Sequence, residues 1–235
     1  MMRGVKAVLF DLDETIIDAR DGFKMCHLKV ADRLHSYLKE NGVSVKASEI
    51  FSRLRDLDDR MNRDRKYNRN AWWPPLLQEL GVDRRLPPDF LDELTHLFWD
   101  TFADGTKPYP DAVPLLEHLK KKGYGLGLVS DTDGTAGFKR RRLDRIDMMK
   151  YFGAVVIAGE DTPRPKPDPA GFLLAAERLG VRPGDCVMVG DKPFTDIRGG
   201  KAAGMRTILV KRRDWGVEER PDVTVTSLSE IRGIL

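Results

Sequence analysis

The sequence has few residues with sulfur or imidazole side chains. Its 235 residues include two cysteines and four histidines. Cys26 is expected in a helix and Cys186 at the start of a buried strand, so we interpret both as packing residues, not as a disulfide framework or a metal site. The histidines do not show ligand spacings such as His-x-x-x-His, and we interpret them as surface or packing residues: His27, His35, His96 and His118.

Long apolar runs are also missing. A helix that crosses a bilayer needs about 20 apolar residues, and no stretch of the sequence approaches that length. The amino end lacks the apolar region and cleavage site of a signal peptide. We therefore expect a soluble cytoplasmic protein with no membrane partner.

The charges are dense but nearly balanced. Lysine and arginine total 40, aspartate and glutamate total 37, and the net charge is +3. This excess is too small to indicate a nucleic-acid partner. The basic run from Lys139 to Arg142 is interpreted as the solvated face of a helix, with nucleic-acid binding as the alternative. A chain of this length can form one large domain or a core plus a smaller one, and we expect a monomer or a homodimer.

An apolar run over residues 5–10 ends abruptly in Asp11 and Asp13. The run predicts a strand that is buried on both faces. Residues two apart in a strand point the same way, so both carboxylates should leave the strand in one direction, at the end where open α/β sheets bind ligands. Close carboxylates repel each other unless a cation, a shared proton or a division of roles relieves them. Asp-x-Asp is also common in turns, so this pattern alone does not decide the function.

Strand and helix patterns alternate from residue 108 onward. Strands are predicted at residues 124–129, 154–158, 186–189 and 206–210, with a short edge strand at 222–226. Together with the first strand, they predict an α/β fold: a Rossmann-like parallel sheet with helices on both faces. Residues 19–107 contain only helical patterns, which predicts an inserted all-helical domain. The core would then comprise residues 1–18 and 108–235.

Polar residues follow several of these strands, at the edge where parallel strands end. Ser130 and Asp191 join Asp11 and Asp13 there, and Lys166 lies in a loop that starts from the same edge. Carboxylates suit Mg²⁺, a lysine and a hydroxyl suit phosphate oxygens, and an aspartate can act as a nucleophile. Ser-His-Asp chemistry and Walker-type nucleotide binding are unsupported. These residues indicate Mg²⁺-dependent phosphoryl transfer through a covalent intermediate.

With these motifs in order, the sequence resembles the haloacid dehalogenase superfamily. The resemblance rests on four segments: Asp11-Leu12-Asp13-Glu14-Thr15, Ser130 after an apolar strand, Arg164-Pro165-Lys166-Pro167-Asp168, and Gly190-Asp191 with Asp196. It covers residues 1–18 and 108–235, and it implies that the insertion at 19–107 is a helical cap domain. Phe23, Lys24, Trp72 and Trp73 are candidates to line the substrate site from that cap, with core packing favoured for at least one of the two tryptophans.

The resemblance also implies a role for each carboxylate. Asp11 would be the nucleophile and a Mg²⁺ ligand. Asp13 would protonate the leaving alkoxide and then activate water, and its backbone carbonyl would bind the metal. Asp191 would be a further metal ligand, and Asp196 would support the site from outside.

The phosphoryl group would be held by Ser130 and Lys166. Asp131, which follows Ser130 where many relatives have asparagine, is included among the substrate-binding residues, although a carboxylate beside a phosphate is unfavourable unless it faces elsewhere. Lys192 is a second departure, because a small polar residue is common after the metal-binding aspartate. Its ammonium would either weaken metal binding or point to solvent.

Asp13 distinguishes between branches of the superfamily. A halide leaves without a proton, and the dehalogenases typically lack this second aspartate, whereas an alkoxide needs an acid. We therefore expect a phosphatase that acts on a small phosphorylated metabolite, in preference to a 2-haloacid dehalogenase. A phosphomutase would use the same core residues and stays an alternative. A binding or regulatory protein without turnover is the alternative of another class.

Overall fold

Apolar runs form a parallel sheet with helices on its two faces. The structure is a computed structural model that describes residues 2–216 and 219–235. The described strands are β1 (Ala7–Phe10), β2 (Ile17–Asp18), β3 (Lys107–Pro108), β4 (Gly125–Asp131), β5 (Ala154–Ala158), β6 (Cys186–Gly190), β7 (Arg206–Val210) and β8 (Val223–Val225). Six of them form one sheet in the order β5-β4-β1-β6-β7-β8, and all of its pairs are parallel. The predicted Rossmann-like core is confirmed.

The helices of the described chain differ greatly in length. They are α1 (Arg20–Glu40), α2 (Ala47–Arg63), α3 (Trp73–Glu79), α4 (Pro88–Asp104), α5 (Ala112–Lys121), α6 (Phe138–Leu143), α7 (Ala170–Arg178) and α8 (Arg198–Ala202). Shorter 3-10 turns occur at Arg69–Ala71, Asp147–Tyr151, Pro183–Asp185 and Leu228–Gly233, and a π-helical turn occurs at Pro193–Ile197. Within the described ranges, none of the helices has the length and hydropathy that a membrane span requires.

The chain divides into two compact units. An α/β unit comprises Met1–Asp18, Lys107–Thr132 and Lys139–Leu235, and a helical unit comprises Ala19–Thr106 and Asp133–Phe138. Within the α/β unit, the short strands β2 and β3 pair in antiparallel fashion where the chain leaves and re-enters this unit.

The central strand β1 is buried on both faces, as its unbroken apolar run predicts. Val8 and Phe10 belong to one hydrophobic cluster, which helix α5 completes. Ala7 and Leu9 belong to a second cluster on the other face, which helix α7 completes. Because β1 lies between β4 and β6, the carboxyl ends of these three strands meet at one edge of the sheet.

Several element boundaries differ from the predicted ones. Strand β4 extends through Ser130 and Asp131, because both residues still pair with β5. Ser48 is the N-cap that the sequence predicts for the second helix, but α2 begins at Ala47 and its N-cap is Lys46. The sequence pattern around the basic run predicts a helix over residues 137–149, whereas α6 ends at Leu143 and Ile146 is extended. The capping-box pattern of Ser227 and Glu230 predicts a helix over residues 227–235; the capping box is present, but it precedes a 3-10 turn at Leu228–Gly233.

The core of the helical unit contains both tryptophans of the Trp-Trp-Pro-Pro segment. Trp72 and Trp73 are fully buried. Their indole Nε1 atoms donate hydrogen bonds to the backbone carbonyls of Lys66, at 2.7 Å, and Leu91, at 3.2 Å. The expectation that these two side chains line a substrate site is therefore wrong, because their surfaces are used in core packing. The assignment of Phe23 and Lys24 to such a lining stays a prediction.

Inside the helical unit, a buried polar cluster surrounds Asp58. His27 Nε2 lies 2.9 Å from one carboxylate oxygen, and the Asn62 amide donates to the other at 2.6 Å. The guanidinium of Arg69 stacks 3.7 Å from the centroid of the Trp72 ring. His27, which we interpret from the sequence as a surface or packing residue, is a buried packing residue that also makes this polar contact.

The segment Asp133–Phe138 requires a glycine where it packs in the helical unit. Gly134 has φ +84°, and a Cβ atom there would lie 2.2 Å from the carbonyl carbon of Tyr67. We expect Gly134→Ala to lower the free energy of unfolding by about 3 kcal/mol, because it combines a left-handed backbone with a clash against main chain. Urea denaturation measures this loss.

Gly137→Ala is the matched control for that experiment. Gly137 has φ +80°, but no heavy atom of the described chain lies within 4 Å of the place where its Cβ would be. Its substitution should lower the free energy of unfolding by only about 1 kcal/mol, from the backbone conformation alone. Equal losses in the two variants would contradict the close approach at Gly134.

Candidate active site

Three carboxylates meet at the carboxyl edge of the sheet. Asp11 follows β1, Asp191 follows β6, and Asp196 lies in the π-helical turn that comes next. One oxygen from each side chain lies within 4.8 Å of the others, and all three residues are buried. The side chain of Asp196 fits there because residue 190 is glycine: a Cβ at Gly190 would lie 2.4 Å from it. A buried set of carboxylate oxygens is the donor set that hard divalent cations such as Mg²⁺ prefer.

Lys166 connects two of these carboxylates. Its Nζ donates to Asp11 Oδ1 at 2.5 Å, to Asp196 Oδ1 at 2.8 Å and to the carbonyl of Val129 at 3.3 Å. The side chain is 2% exposed. The sequence predicts this lysine at the same edge as Asp11, and the structure brings the two into direct contact.

Asp131 holds the loop that carries Lys166. Its Oδ1 accepts a hydrogen bond from the backbone N–H of Lys166 at 2.8 Å. Its neighbour Ser130 is buried near the end of β4, with 2% exposure. One oxygen of the Asp131 carboxylate thus contacts protein backbone, and the substrate contact expected of Asp131 stays a prediction.

The cluster carries more negative charge than its lysine balances. Burial raises the pKa of Asp11, and burial together with the charges of Asp196 and Asp11 raises the pKa of Asp191 well above its usual range. Burial alone would lower the pKa of the Lys166 ammonium, but Asp11 and Asp196 raise it well above its ordinary value. Such a group of like charges is stabilised by an added cation.

Lys192 contributes further positive charge to this region. Burial opposes its ionisation, but Asp191 and Asp11 outweigh burial and raise the pKa of the ammonium. Its backbone N–H donates to Asp196 Oδ2 at 3.0 Å. Both oxygens of Asp196 therefore already accept hydrogen bonds from protein. The same is true of Asp11 and Asp191, so the division of roles, with Asp11 and Asp191 as metal ligands and Asp196 as their support, stays a prediction.

Two further side chains orient Asp191. The Thr15 hydroxyl donates to Asp11 Oδ2 at 3.2 Å and to Asp191 Oδ1 at 3.4 Å. The indole of Trp215 donates to Asp191 Oδ2 at 3.3 Å, and the ring packs edge-on against Phe194 with centroids 5.5 Å apart. Thr15 lies in the Asp11-to-Thr15 motif and could have been noticed. Trp215 lies in a loop after β7 with no sequence signal that connects it to Asp191.

Asp13 has different partners from Asp11. Its Oδ1 accepts from Arg142 at 2.6 Å, and its Oδ2 accepts from Lys139 Nζ at 3.0 Å. Burial would raise the pKa of Asp13, but the charges of Arg142 and Lys139 outweigh burial and hold it well below its usual range. The side chain of Asp13 is not among the clustered carboxylates, and a metal contact through its backbone carbonyl stays a prediction.

The basic run that contains Lys139 is therefore not wholly a solvated face. Lys139 and Arg142 are buried, whereas Arg140 and Arg141 are exposed. The signal was available in the sequence, because residues three apart lie on one side of a helix. What the sequence did not reveal is that this side contacts Asp13.

Comparison with known proteins identifies the same superfamily as the sequence motifs do. The sequence profile of the haloacid dehalogenase-like hydrolases matches residues 5–204. The glyceraldehyde 3-phosphate phosphatase of Methanopyrus kandleri is 33% identical over 221 residues, which cover 93% of this chain and 89% of that protein. The phosphoglycolate phosphatase of Escherichia coli strain K12 is 30% identical, with 97% and 91% covered. The crystal structure of a HAD phosphatase from Thermococcus onnurineus is 30% identical, has a TM-score of 0.70, and covers 98% of this chain and 97% of its own.

Replacing Lys166 by methionine tests the charge balance of the cluster. The variant leaves Asp11 and Asp196 without their shared ammonium. We expect its free energy of unfolding, measured by urea denaturation at neutral pH without divalent metal, to fall by about 3–5 kcal/mol. Lys201→Met is the control, because it removes an exposed lysine that contacts Glu219 at 3.3 Å; its effect should stay within about 1 kcal/mol.

The same variant should respond to pH. Burial raises the pKa of Asp11 and Asp191 in the folded protein, whereas carboxyl groups of the unfolded chain titrate at about pH 4. These groups therefore reduce stability as the pH rises above about 4, and the reduction is larger without Lys166. Urea denaturation at about pH 5 and pH 8 measures this dependence. An equal stability loss at both pH values would contradict this account.

Proposed function

Because this chain belongs to the haloacid dehalogenase-like hydrolase family as a member of phosphatase type, we propose that it hydrolyses the phosphomonoester of a small metabolite and uses Mg²⁺ as its cofactor. The observation that carries this proposal is the buried cluster of Asp11, Asp191 and Asp196 with Lys166 between two of its members. This arrangement supplies a nucleophile, oxygen ligands for a hard cation and a charge partner for a phosphoryl group.

In the first half of the proposed reaction, Asp11 is the nucleophile. A carboxylate oxygen of Asp11 forms a bond to phosphorus, and the bond between phosphorus and the ester oxygen breaks. Asp13 donates a proton to the departing alkoxide. Ser130 and Lys166 hold oxygens of the phosphoryl group, which is left on Asp11 as an aspartyl phosphate.

In the second half, water releases the phosphoryl group. Asp13, now a carboxylate, takes a proton from the water that attacks phosphorus. The bond to Asp11 breaks, its electron pair returns to the Asp11 carboxylate, and inorganic phosphate leaves. Asp11 and Asp191 would hold Mg²⁺, which when bound offsets the negative charge that the carboxylates and the phosphoryl oxygens bring together.

We propose that the helical unit serves as the cap domain of this enzyme and contributes to substrate choice. This proposal follows from its insertion after β2 and before β3 of the α/β unit. The named activities of the relatives give two first candidates, glyceraldehyde 3-phosphate and phosphoglycolate.

Phosphate release tests the proposed function. We would assay both candidate substrates, other sugar phosphates and p-nitrophenyl phosphate with Mg²⁺, with a chelator, and with the variant Asp11→Asn. We expect release that depends on Mg²⁺ and falls by at least about 10³-fold in the variant, because the nucleophile is lost. Asp185→Asn, at a surface carboxylate paired with Arg182, should keep the activity of the wild type.

Two outcomes would contradict this proposal. One is halide release from 2-haloacids with no phosphate release from any ester. The other is phosphate release that survives in Asp11→Asn with unchanged kcat, because the covalent intermediate would then have no place in the reaction.

A further inference from the structure

Asp13 has a separate cationic donor on each carboxylate oxygen. Arg142 contacts Oδ1 at 2.6 Å and Lys139 contacts Oδ2 at 3.0 Å. Both basic side chains are buried, with 6% and 4% exposure. Hydrogen bonds between a carboxylate and charged donors are among the strongest that side chains make. The rotation of the Asp13 carboxylate is therefore restrained at both of its oxygens.

The two donors reach Asp13 from one short helix. Helix α6 begins at Phe138 and ends at Leu143, and residues three apart lie on one side of a helix. Lys139 and Arg142 share that side, whereas Arg140 and Arg141 between them are exposed. Two of the four consecutive basic residues thus contact Asp13. The two exposed ones, Arg140 and Arg141, provide internal controls.

Such a restrained carboxylate suits one half of the proposed reaction better than the other. Protonating an alkoxide requires Asp13 to carry a proton on an oxygen that already faces a cation. Accepting a proton from water requires the carboxylate form in a fixed orientation. Two cationic donors provide the fixed orientation of this second requirement, and they also make the carboxylate a weaker base.

We propose that Lys139 and Arg142 are positioning residues that direct Asp13 toward the water that hydrolyses the aspartyl phosphate. They would thereby make water the acceptor of the phosphoryl group and distinguish this enzyme from a mutase, which must keep its phosphorylated aspartate until a second substrate hydroxyl arrives. The inference rests on the proposed function, because it requires a covalent intermediate on Asp11.

The experiment uses p-nitrophenyl phosphate and pre-steady-state kinetics. p-Nitrophenolate is a good leaving group that needs little help from an acid, so formation of the intermediate is nearly independent of Asp13, whereas its hydrolysis still needs a base. In Lys139→Met and Arg142→Met we expect a burst of p-nitrophenolate that approaches one equivalent per enzyme. A steady-state kcat lower by roughly tenfold to a hundredfold should follow, with KM lowered in parallel because the intermediate accumulates.

Three further variants separate positioning from general damage. Arg141→Met removes an exposed charge from the same helix and should behave like the wild type. Lys139→Arg and Arg142→Lys keep a cationic donor and should restore rapid hydrolysis of the intermediate. If either methionine variant fails to fold, Lys139→Gln and the lifetime of acid-quenched phosphoenzyme, measured by mass spectrometry, provide the same readout.

The outcomes distinguish the inference from the function on which it rests. A fall in kcat without a burst and with unchanged KM would overturn the inference, as would methionine variants that turn over like the wild type. Wild-type protein that releases no p-nitrophenolate with Mg²⁺, or whose release is unaffected by Asp11→Asn, would overturn the proposed function itself.

Discussion

Repulsion among three buried carboxylates is the constraint on which the site depends. Asp11, Asp191 and Asp196 are brought together by the neighbouring strands β1 and β6 and the turn after β6, and all three are buried. Without compensating charge this arrangement would be strongly unfavourable. Lys166 supplies part of that charge, and its loop is in turn held by Asp131. The same repulsion that the fold must overcome gives the site its affinity for a cation.

The sheet makes this accumulation of charge possible. Strand β1 is buried on both faces and lies between β4 and β6. Its two hydrophobic clusters supply stability that does not involve the polar edge, at about 25 cal/mol for each Å² of apolar surface removed from water. The fold therefore tolerates repulsion between carboxylates at the strand ends, because the hydrophobic clusters stabilise the sheet independently of these charges.

The sequence predicts the architecture well because its signals are local. Apolar runs and helical periodicity are sufficient to place β1, α5 and the parallel sheet, and the strand order then brings Asp11 close to Asp191. The end of α6 was predicted less well, since the sequence pattern does not show where the helix stops. The burial of Trp72 and Trp73 was predicted only in part, because tryptophan occurs both in hydrophobic cores and in binding sites.

The contacts that sequence reasoning missed are long-range pairings of side chains. Lys139 lies 126 residues from Asp13 along the chain, and Trp215 lies 24 residues from Asp191. No periodicity connects such positions. A basic run suggests a solvated helix, and a single tryptophan in a charged loop suggests a surface contact. Only the folded chain shows which carboxylate each of these residues meets.

Trp215 also makes the acidic cluster visible to spectroscopy. The sequence contains four tryptophans, and Trp72, Trp73 and Trp99 all lie in the helical unit. Trp215 is thus the tryptophan of the α/β unit, and its fluorescence responds to the electric field around its ring. A cation that arrives beside Asp191 changes that field directly. The protein therefore carries its own optical probe of charge at the site, one that requires neither a label nor turnover.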